Sequence, residues 1–154
     1  REWICAIKKG LLPTGESGID TPPPVAQFFD WGILRSQVKD LRSAFPDGHA
    51  EDQSAPLSQG GVVHTLAVKA NPFSKTLQKT REMHLGAECA SIVEVSQALQ
   101  QGVDPKDIIY DSPAKTLSEI KHALNLGVLI NLDNFAELRK TKHAMHSLGL
   151  HSSE

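Results

Sequence analysis

The sequence VVHTLAVKANP carries a lysine, Lys69, at the end of an apolar stretch. Successive residues of a strand point to opposite faces, so Thr65, Ala67 and Lys69 would share one face, while Leu66, Val68 and Ala70 form the other. A lysine above two small side chains has room to reach a cofactor. The strand pattern alone favours a different interpretation, in which a lysine at a strand exit extends its amine into solvent.

The histidines and cysteines are weaker candidates for a functional site. His143 and His146 lie three residues apart, with His151 beyond them, but no cysteine or carboxylate completes a zinc site. A solvated helix face is the favoured interpretation, and no metal site is predicted. Cys89 lies in a predicted strand and is interpreted as a small buried apolar residue.

The elements that must position Lys69 alternate in a regular pattern. Short apolar runs are each followed by a helical segment of roughly ten residues, as in parallel β-α units. Capping sequences SIVE, TLSE and NFAE mark three helix starts. Four consecutive units fit half of a (β/α)8 barrel, and they also fit a small doubly wound sheet. The runs are Val62–Ala70, Gly86–Ala90, Ile108–Tyr110 and Val128–Leu132.

Composition narrows the function classes. The chain has 154 residues, 40% of them hydrophobic, and a net charge of -2. We therefore expect no nucleic-acid partner and no membrane surface or span. Two cysteines and no convincing signal peptide favour a cytoplasmic protein. Residues 1–60 are predicted to be a lead-in segment with loops and one helix, which Asp30 could cap; residues 61–154 are predicted to hold the β-α units.

Several motifs resemble those of the ornithine/diaminopimelate/arginine decarboxylase family. Its members are alanine-racemase-like, fold-type III pyridoxal-phosphate enzymes. The motifs are AVKANP, LGAECASIVEVSQAL, DIIYDSPAKTLSEIKHALNLGV and INLDNFAELRK, and the resemblance covers about Pro22 to Leu138. It implies an α/β fold, a partial (β/α)8 TIM barrel with parallel strands. It also implies pyridoxal 5'-phosphate as cofactor, a small-molecule amino-acid substrate and a homodimer of the full-length protein.

The resemblance also implies roles for individual residues. Lys69 matches the catalytic lysine that holds the cofactor as a Schiff base, and Glu88 stands where ornithine-type members usually have a cofactor-binding Asp. Asn71, Ser91, Tyr110 and Asp111 are possible residues of the same rim. Simpler roles are favoured for several of them: a turn before Pro72 for Asn71, an N-cap for Ser91, and loop structure or dimer contact for Tyr110, Asp111 and Lys115.

The complete protein is thus expected to be a pyridoxal-phosphate-dependent amino-acid decarboxylase. KANP and INLDNFAEL favour the diaminopimelate type, whereas ECAS and IIYDSP favour the ornithine or arginine type. The alternatives are a non-catalytic homologue with a binding or regulatory role and an alanine-racemase-like enzyme. In the family, other cofactor-binding groups come later in the chain. We therefore expect this chain to be an N-terminal fragment or an incomplete gene model, inactive alone.

Overall fold

The computed structural model describes Lys9, residues 29–46 and residues 62–150. The chain divides into two compact units, Arg1–Gln37 and Val38–Glu154, which are considered separately. Helix α1 spans Trp31–Ala44. Asp30 precedes it, and its carboxylate accepts hydrogen bonds from the backbone N–H groups of Gly32 and Ile33. The predicted cap at Asp30 is therefore confirmed. Most of the predicted lead-in segment, the start of the resemblance near Pro22, and the residues Cys5 and His151 lie outside the described residues.

A four-stranded parallel sheet forms the centre of the second unit. Its strands are adjacent in chain order, which confirms the predicted succession of parallel β-α units. Leu66 pairs with Ala87, and Ala87 pairs with Ile108, so these residues share one face of the sheet. The strands are β1 (Thr65–Ala67), β2 (Gly86–Cys89), β3 (Ile108–Tyr110) and β4 (Leu129–Ile130).

Helices follow the strands and cover one face of this sheet. Ala87, Cys89, Ile108 and Tyr110 from the strands pack in one buried cluster with apolar residues of the helices, among them Leu77. Burial of these side chains is the main stabilising term for a β-α layer of this kind. The helices are α2 (Ser74–Glu82), α3 (Ile92–Gln100), α4 (Leu117–Leu126) and α5 (Phe135–Ser147), with 3-10 turns at Val68–Ala70 and Pro105–Asp107.

The first strand ends earlier than the alternating pattern predicts. It stops at Ala67, and Val68–Ala70 form a 3-10 turn in which the Asn71 N–H donates to the Val68 carbonyl. Pro72 has no N–H and restricts Asn71 before it, so the strand ladder cannot continue through this point. Val68 is buried as expected of the helix-facing set, but Ala70 is exposed, which corrects the predicted alternation at that residue.

Helix starts follow the predicted capping sequences in two ways. Thr116 and Glu119 form the full reciprocal capping box. Ser91 also accepts a bond from its third helical residue, but the carboxylate of Glu94 reaches the N–H of Ala90, one residue before the cap. The predicted N-cap role of Ser91 is therefore confirmed, but Glu94 does not complete a reciprocal capping box with it.

His84 occupies a backbone conformation that usually belongs to glycine. It follows the end of α2 with φ of 55°, and the N–H of Leu85 closes the turn on the Thr80 carbonyl at 3.0 Å. We expect His84→Gly to raise the free energy of unfolding by about 1 kcal/mol, because a side chain at left-handed φ is strained. Urea denaturation followed by circular dichroism would measure the gain. His84→Ala is the control, and an equal gain from alanine would contradict the explanation.

Candidate active-site rim

Lys69 and Glu88 meet at the carboxyl edge of the sheet. The Lys69 Nζ lies 3.5 Å from a Glu88 carboxylate oxygen, and the two side chains are 61% and 19% exposed. Glu88 pairs in register with Ala67, so it stands on the sheet face opposite the helix-facing cluster. Lys69 comes two residues after Ala67 and reaches back to this carboxylate. The rim thus presents an accessible primary amine held beside a carboxylate.

Asp111 and Asn131 extend the rim across the next two strands. The Asp111 N–H donates to the Cys89 carbonyl at 2.8 Å, and the Asn131 N–H donates to the Tyr110 carbonyl at 3.1 Å, so the parallel ladder continues one residue past each strand. Both residues are exposed. By strand alternation they fall on the same face as Glu88. This placement agrees with Asp111 as a rim residue; its role stays a prediction.

Asn71 and Ser91 hold the starts of helices close to the rim. The Asn71 side-chain oxygen accepts from the Thr76 hydroxyl at 2.9 Å and from the Phe73 N–H at 3.4 Å. Ser91 accepts from the Glu94 N–H at 3.2 Å. These bonds support the turn and cap interpretations of the two residues.

Tyr110 lies at the carboxyl edge of the sheet, as predicted, but its side chain is on the face opposite that of Glu88. Glu88 pairs with Ile109, so the next residue, Tyr110, points toward the helices, where it is 1% exposed in the buried cluster. Burial raises the pKa of the Tyr110 hydroxyl, and the nearby Glu119 carboxylate adds to this effect. Tyr110 therefore shares the strand end with Glu88, while its side chain belongs to the core.

Lys115 forms a buried ion pair that sequence reasoning missed. Its Nζ lies 2.9 Å from a Glu137 carboxylate oxygen, with the two side chains 0% and 4% exposed. The same Nζ donates to the carbonyls of Ser112 and Asn131 at 2.6 and 2.7 Å. Its position 5.4 Å from the centre of the Tyr110 ring adds a cation–π contact. All three ammonium protons thus have acceptors inside the protein.

Glu137 keeps its charge in this buried setting. Burial alone would raise the pKa of its carboxyl, but hydrogen bonds from the Asp133 N–H and the Lys115 ammonium lower the pKa below the usual value. The sequence signal was the cap NFAE, in which Asn134 accepts from the Glu137 N–H. That signal pointed to a cap partner and not to the ion pair.

Cys89 is buried next to the rim and is chemically unreactive. It is fully enclosed, and burial raises the pKa of its thiol to about 12, helped by the carboxylates of Glu94 and Glu88. A thiol with that pKa is a poor nucleophile at neutral pH. The interpretation of Cys89 as a small core residue is confirmed.

Pyridoxal phosphate needs a primary amine that its aldehyde can reach, and Lys69 provides one. Lys115, the other lysine near a strand end, does not fit, because its ammonium is enclosed and bonded to three acceptors. Within residues 29–46 and 62–150 we find no cluster of His, Cys, Asp and Glu suited to a metal ion. The helices in these ranges are too short or too polar to cross a membrane.

Comparisons with known proteins identify the family of this chain. The sequence profile described as the pyridoxal binding domain of pyridoxal-dependent decarboxylases matches residues 49–151. Ornithine decarboxylase of Neurospora crassa is 43% identical over 122 residues, which are 70% of this chain and 25% of that protein. A diaminopimelate decarboxylase of Helicobacter pylori is 35% identical over 85 residues, 54% of this chain and 21% of that protein.

Solved structures give the same result for the fold. Diaminopimelate decarboxylase from Helicobacter pylori, complexed with L-lysine, superimposes with a TM-score of 0.65 at 27% identity, over 79% of this chain and 28% of that one. Ornithine decarboxylase from Entamoeba histolytica superimposes with a TM-score of 0.61 at 25% identity, over 75% of this chain and 31% of that one.

The chain therefore spans about a quarter of the length of these relatives. The four parallel strands and their helices correspond to the first part of the decarboxylase barrel, which confirms the predicted fold class. The matched profile covers more than half of the chain and names the cofactor predicted from the resemblance. The chain belongs to the pyridoxal-dependent decarboxylase family and carries residues of its pyridoxal binding domain.

Proposed function

We propose that the complete protein is a pyridoxal-phosphate-dependent amino-acid decarboxylase and that this chain supplies the lysine to which the cofactor bonds. The observation that carries the proposal is the exposed Lys69 amine at the carboxyl rim, paired with Glu88 in a chain of this family. When bound, pyridoxal phosphate supplies an electron-withdrawing ring that stabilises the charge left at the α-carbon as carbon dioxide departs.

Lys69 has two tasks in this proposal. Its Nζ would hold the cofactor while no substrate is present and would give up that place to the amine of the substrate. Once freed, the same Nζ would return a proton to the α-carbon. The long, exposed side chain suits both tasks, because the amine must move between two positions.

Glu88 keeps the lysine amine at the rim. Its carboxylate accepts from the Lys69 Nζ, and Glu88 lies on the sheet face opposite the buried cluster. It stands where ornithine-type relatives usually carry Asp, and its longer side chain reaches further from the strand. We assign Glu88 to orienting Lys69 and the cofactor beside it.

The remaining rim residues have more modest roles in this proposal. Asn71 and Ser91 fix the starts of α2 and α3. Asp111, at the end of β3, would line the edge near the cofactor. Residues 61–154 would form the first part of the barrel after a lead-in segment at 1–60. The complete protein would be a cytoplasmic homodimer, and this chain alone would bind the cofactor weakly.

Assays of carbon dioxide release from candidate substrates test the proposal. The complete protein should release carbon dioxide from one of ornithine, diaminopimelate and arginine, and each is assayed with and without added pyridoxal phosphate. Release that depends on the cofactor supports a decarboxylase. If the protein binds the cofactor but releases carbon dioxide from none of them, the decarboxylase assignment is wrong. Alanine racemisation would then favour the racemase-like alternative, and inactivity the non-catalytic one.

A further inference from the structure

The Lys115–Glu137 ion pair joins two loops at the rim. The Lys115 ammonium donates to Ser112 in the loop after β3 and to Asn131 at the end of β4. The Glu137 carboxylate accepts that ammonium and also the N–H of Asp133, in the loop after β4. We call these two side chains the rim clamp. It binds both loops from the buried side.

The segments held by the rim clamp carry two exposed polar residues of the rim, Asp111 and Asn131. Asn131 is held directly through its own carbonyl, and Asp111 is the residue before Ser112. Both continue the strand ladder on the face that Glu88 and Lys69 occupy. Any group bonded to the Lys69 Nζ must lie over this edge of the sheet.

Stability alone does not account for a buried pair of charges. Removing two charges from water is costly, and apolar replacements of similar volume are often as stable or more so. An apolar pair would fill the same space but could not donate to the Ser112 and Asn131 carbonyls. What the charges add is a fixed distance between the two loops.

We propose that Lys115 and Glu137 are positioning residues for pyridoxal phosphate, acting through Asp111 and Asn131 at the rim. The clamp holds the backbones of the two loops so that these side chains stay aligned beside the cofactor on Lys69. The inference rests on the proposed function, since it assumes that the cofactor binds at Lys69.

The test uses the complete protein with the double variant Lys115→Met/Glu137→Gln. It leaves no unpaired buried charge and keeps an acceptor for the Asp133 N–H, so the variant is expected to fold. Lys142→Met, an exposed lysine on α5, is the matched control. Two quantities are measured: hydrogen exchange of the Asp111 and Asn131 amides without cofactor, and the dissociation constant of pyridoxal phosphate by absorbance titration.

In the clamp variant we expect exchange at both amides to speed up at least about tenfold, because the carbonyls beside them have lost their donor. The amide of Val103, away from the rim, should not change. The dissociation constant of pyridoxal phosphate should rise at least about tenfold, equivalent to roughly 1.4 kcal/mol. Lys142→Met should match the unchanged protein in both measurements.

Lys115→Met/Glu137→Gln is also made in an Asp111→Ala/Asn131→Ala background, which tests whether the rim clamp acts through these two residues. If the clamp acts through these residues, it should weaken cofactor binding no further there. A full further loss in that background, or unchanged binding in the clamp variant itself, would overturn the positioning role. If even the unchanged protein bound no pyridoxal phosphate, the proposed function would also be wrong. Failure of the positioning role and failure of the proposed function therefore give different results.

Discussion

Lys69→Ala is expected to abolish covalent attachment of pyridoxal phosphate in the complete protein. Borohydride reduction of the unchanged protein should fix the cofactor on the peptide that contains Lys69, and the variant should show no such adduct. Decarboxylation should fall by at least roughly 10²–10⁴-fold, because the amine that returns a proton is lost. Peptide mapping by mass spectrometry and carbon dioxide release measure the two effects.

Lys69→Arg tests the chemistry apart from the charge. A guanidinium keeps the positive charge beside Glu88 but does not lose its proton, so it cannot bond to the cofactor aldehyde. We expect Lys69→Arg to be as inactive as Lys69→Ala. Lys75→Ala is the matched control, since Lys75 is an exposed lysine on α2; it should keep both the adduct and the activity.

An adduct on another lysine would contradict the assignment. Lys115 is the instructive case, because it too follows a strand end. Its ammonium is enclosed and bonded to three acceptors, so we expect no adduct there even when Lys69 is absent. Finding the cofactor on Lys75 or Lys115, with Lys69→Ala still active, would show that Lys69 is not the attachment site.

The strand order could be predicted from the sequence because β-α units leave local signals. Apolar runs, capping residues and helix-ending glycines all lie within a few residues of one another. Gly127, for example, ends α4 with φ of 75°, as the sequence NLGV indicates. The end of β1 was harder to place, since the turn at Val68–Ala70 depends on how Asn71 and Pro72 divert the backbone.

The site was predicted unevenly for the same reason. Short motifs pointed to Lys69 and Glu88, and the structure places these two side chains beside one another. Tyr110 was placed at the correct strand end, but only the register shows that its side chain faces the helices. The ion pair of Lys115 and Glu137 joins residues 22 apart in sequence, and a capping sequence accounted for Glu137 already. Tertiary contacts of this kind leave no periodic signal.

Breaking that ion pair on one side should have the largest effect on stability. Lys115→Met would leave the Glu137 carboxylate buried with the Asp133 N–H as a remaining donor, and the carbonyls of Ser112 and Asn131 without their donor. We expect the free energy of unfolding at pH 7 to fall by about 3–5 kcal/mol. Urea denaturation followed by circular dichroism measures the loss. Lys115→Met/Glu137→Gln should lose less, because no unpaired charge remains buried.

The loss caused by Lys115→Met should shrink in acid. In the unchanged protein the pKa of Glu137 lies below its usual value, so this carboxylate stabilises the fold above that value, and its contribution disappears as the pH falls through its folded pKa. Without the ammonium, burial dominates and raises the pKa of Glu137. Lowering the pH therefore protonates the buried carboxylate and reduces the destabilisation of the variant. The difference in unfolding free energy between the two proteins should therefore be smaller at pH 4 than at pH 7. The lowered pKa of Glu119 acts equally in both proteins and cancels from the difference. A difference that stayed constant between these pH values would show that Glu137 is not held ionised by Lys115.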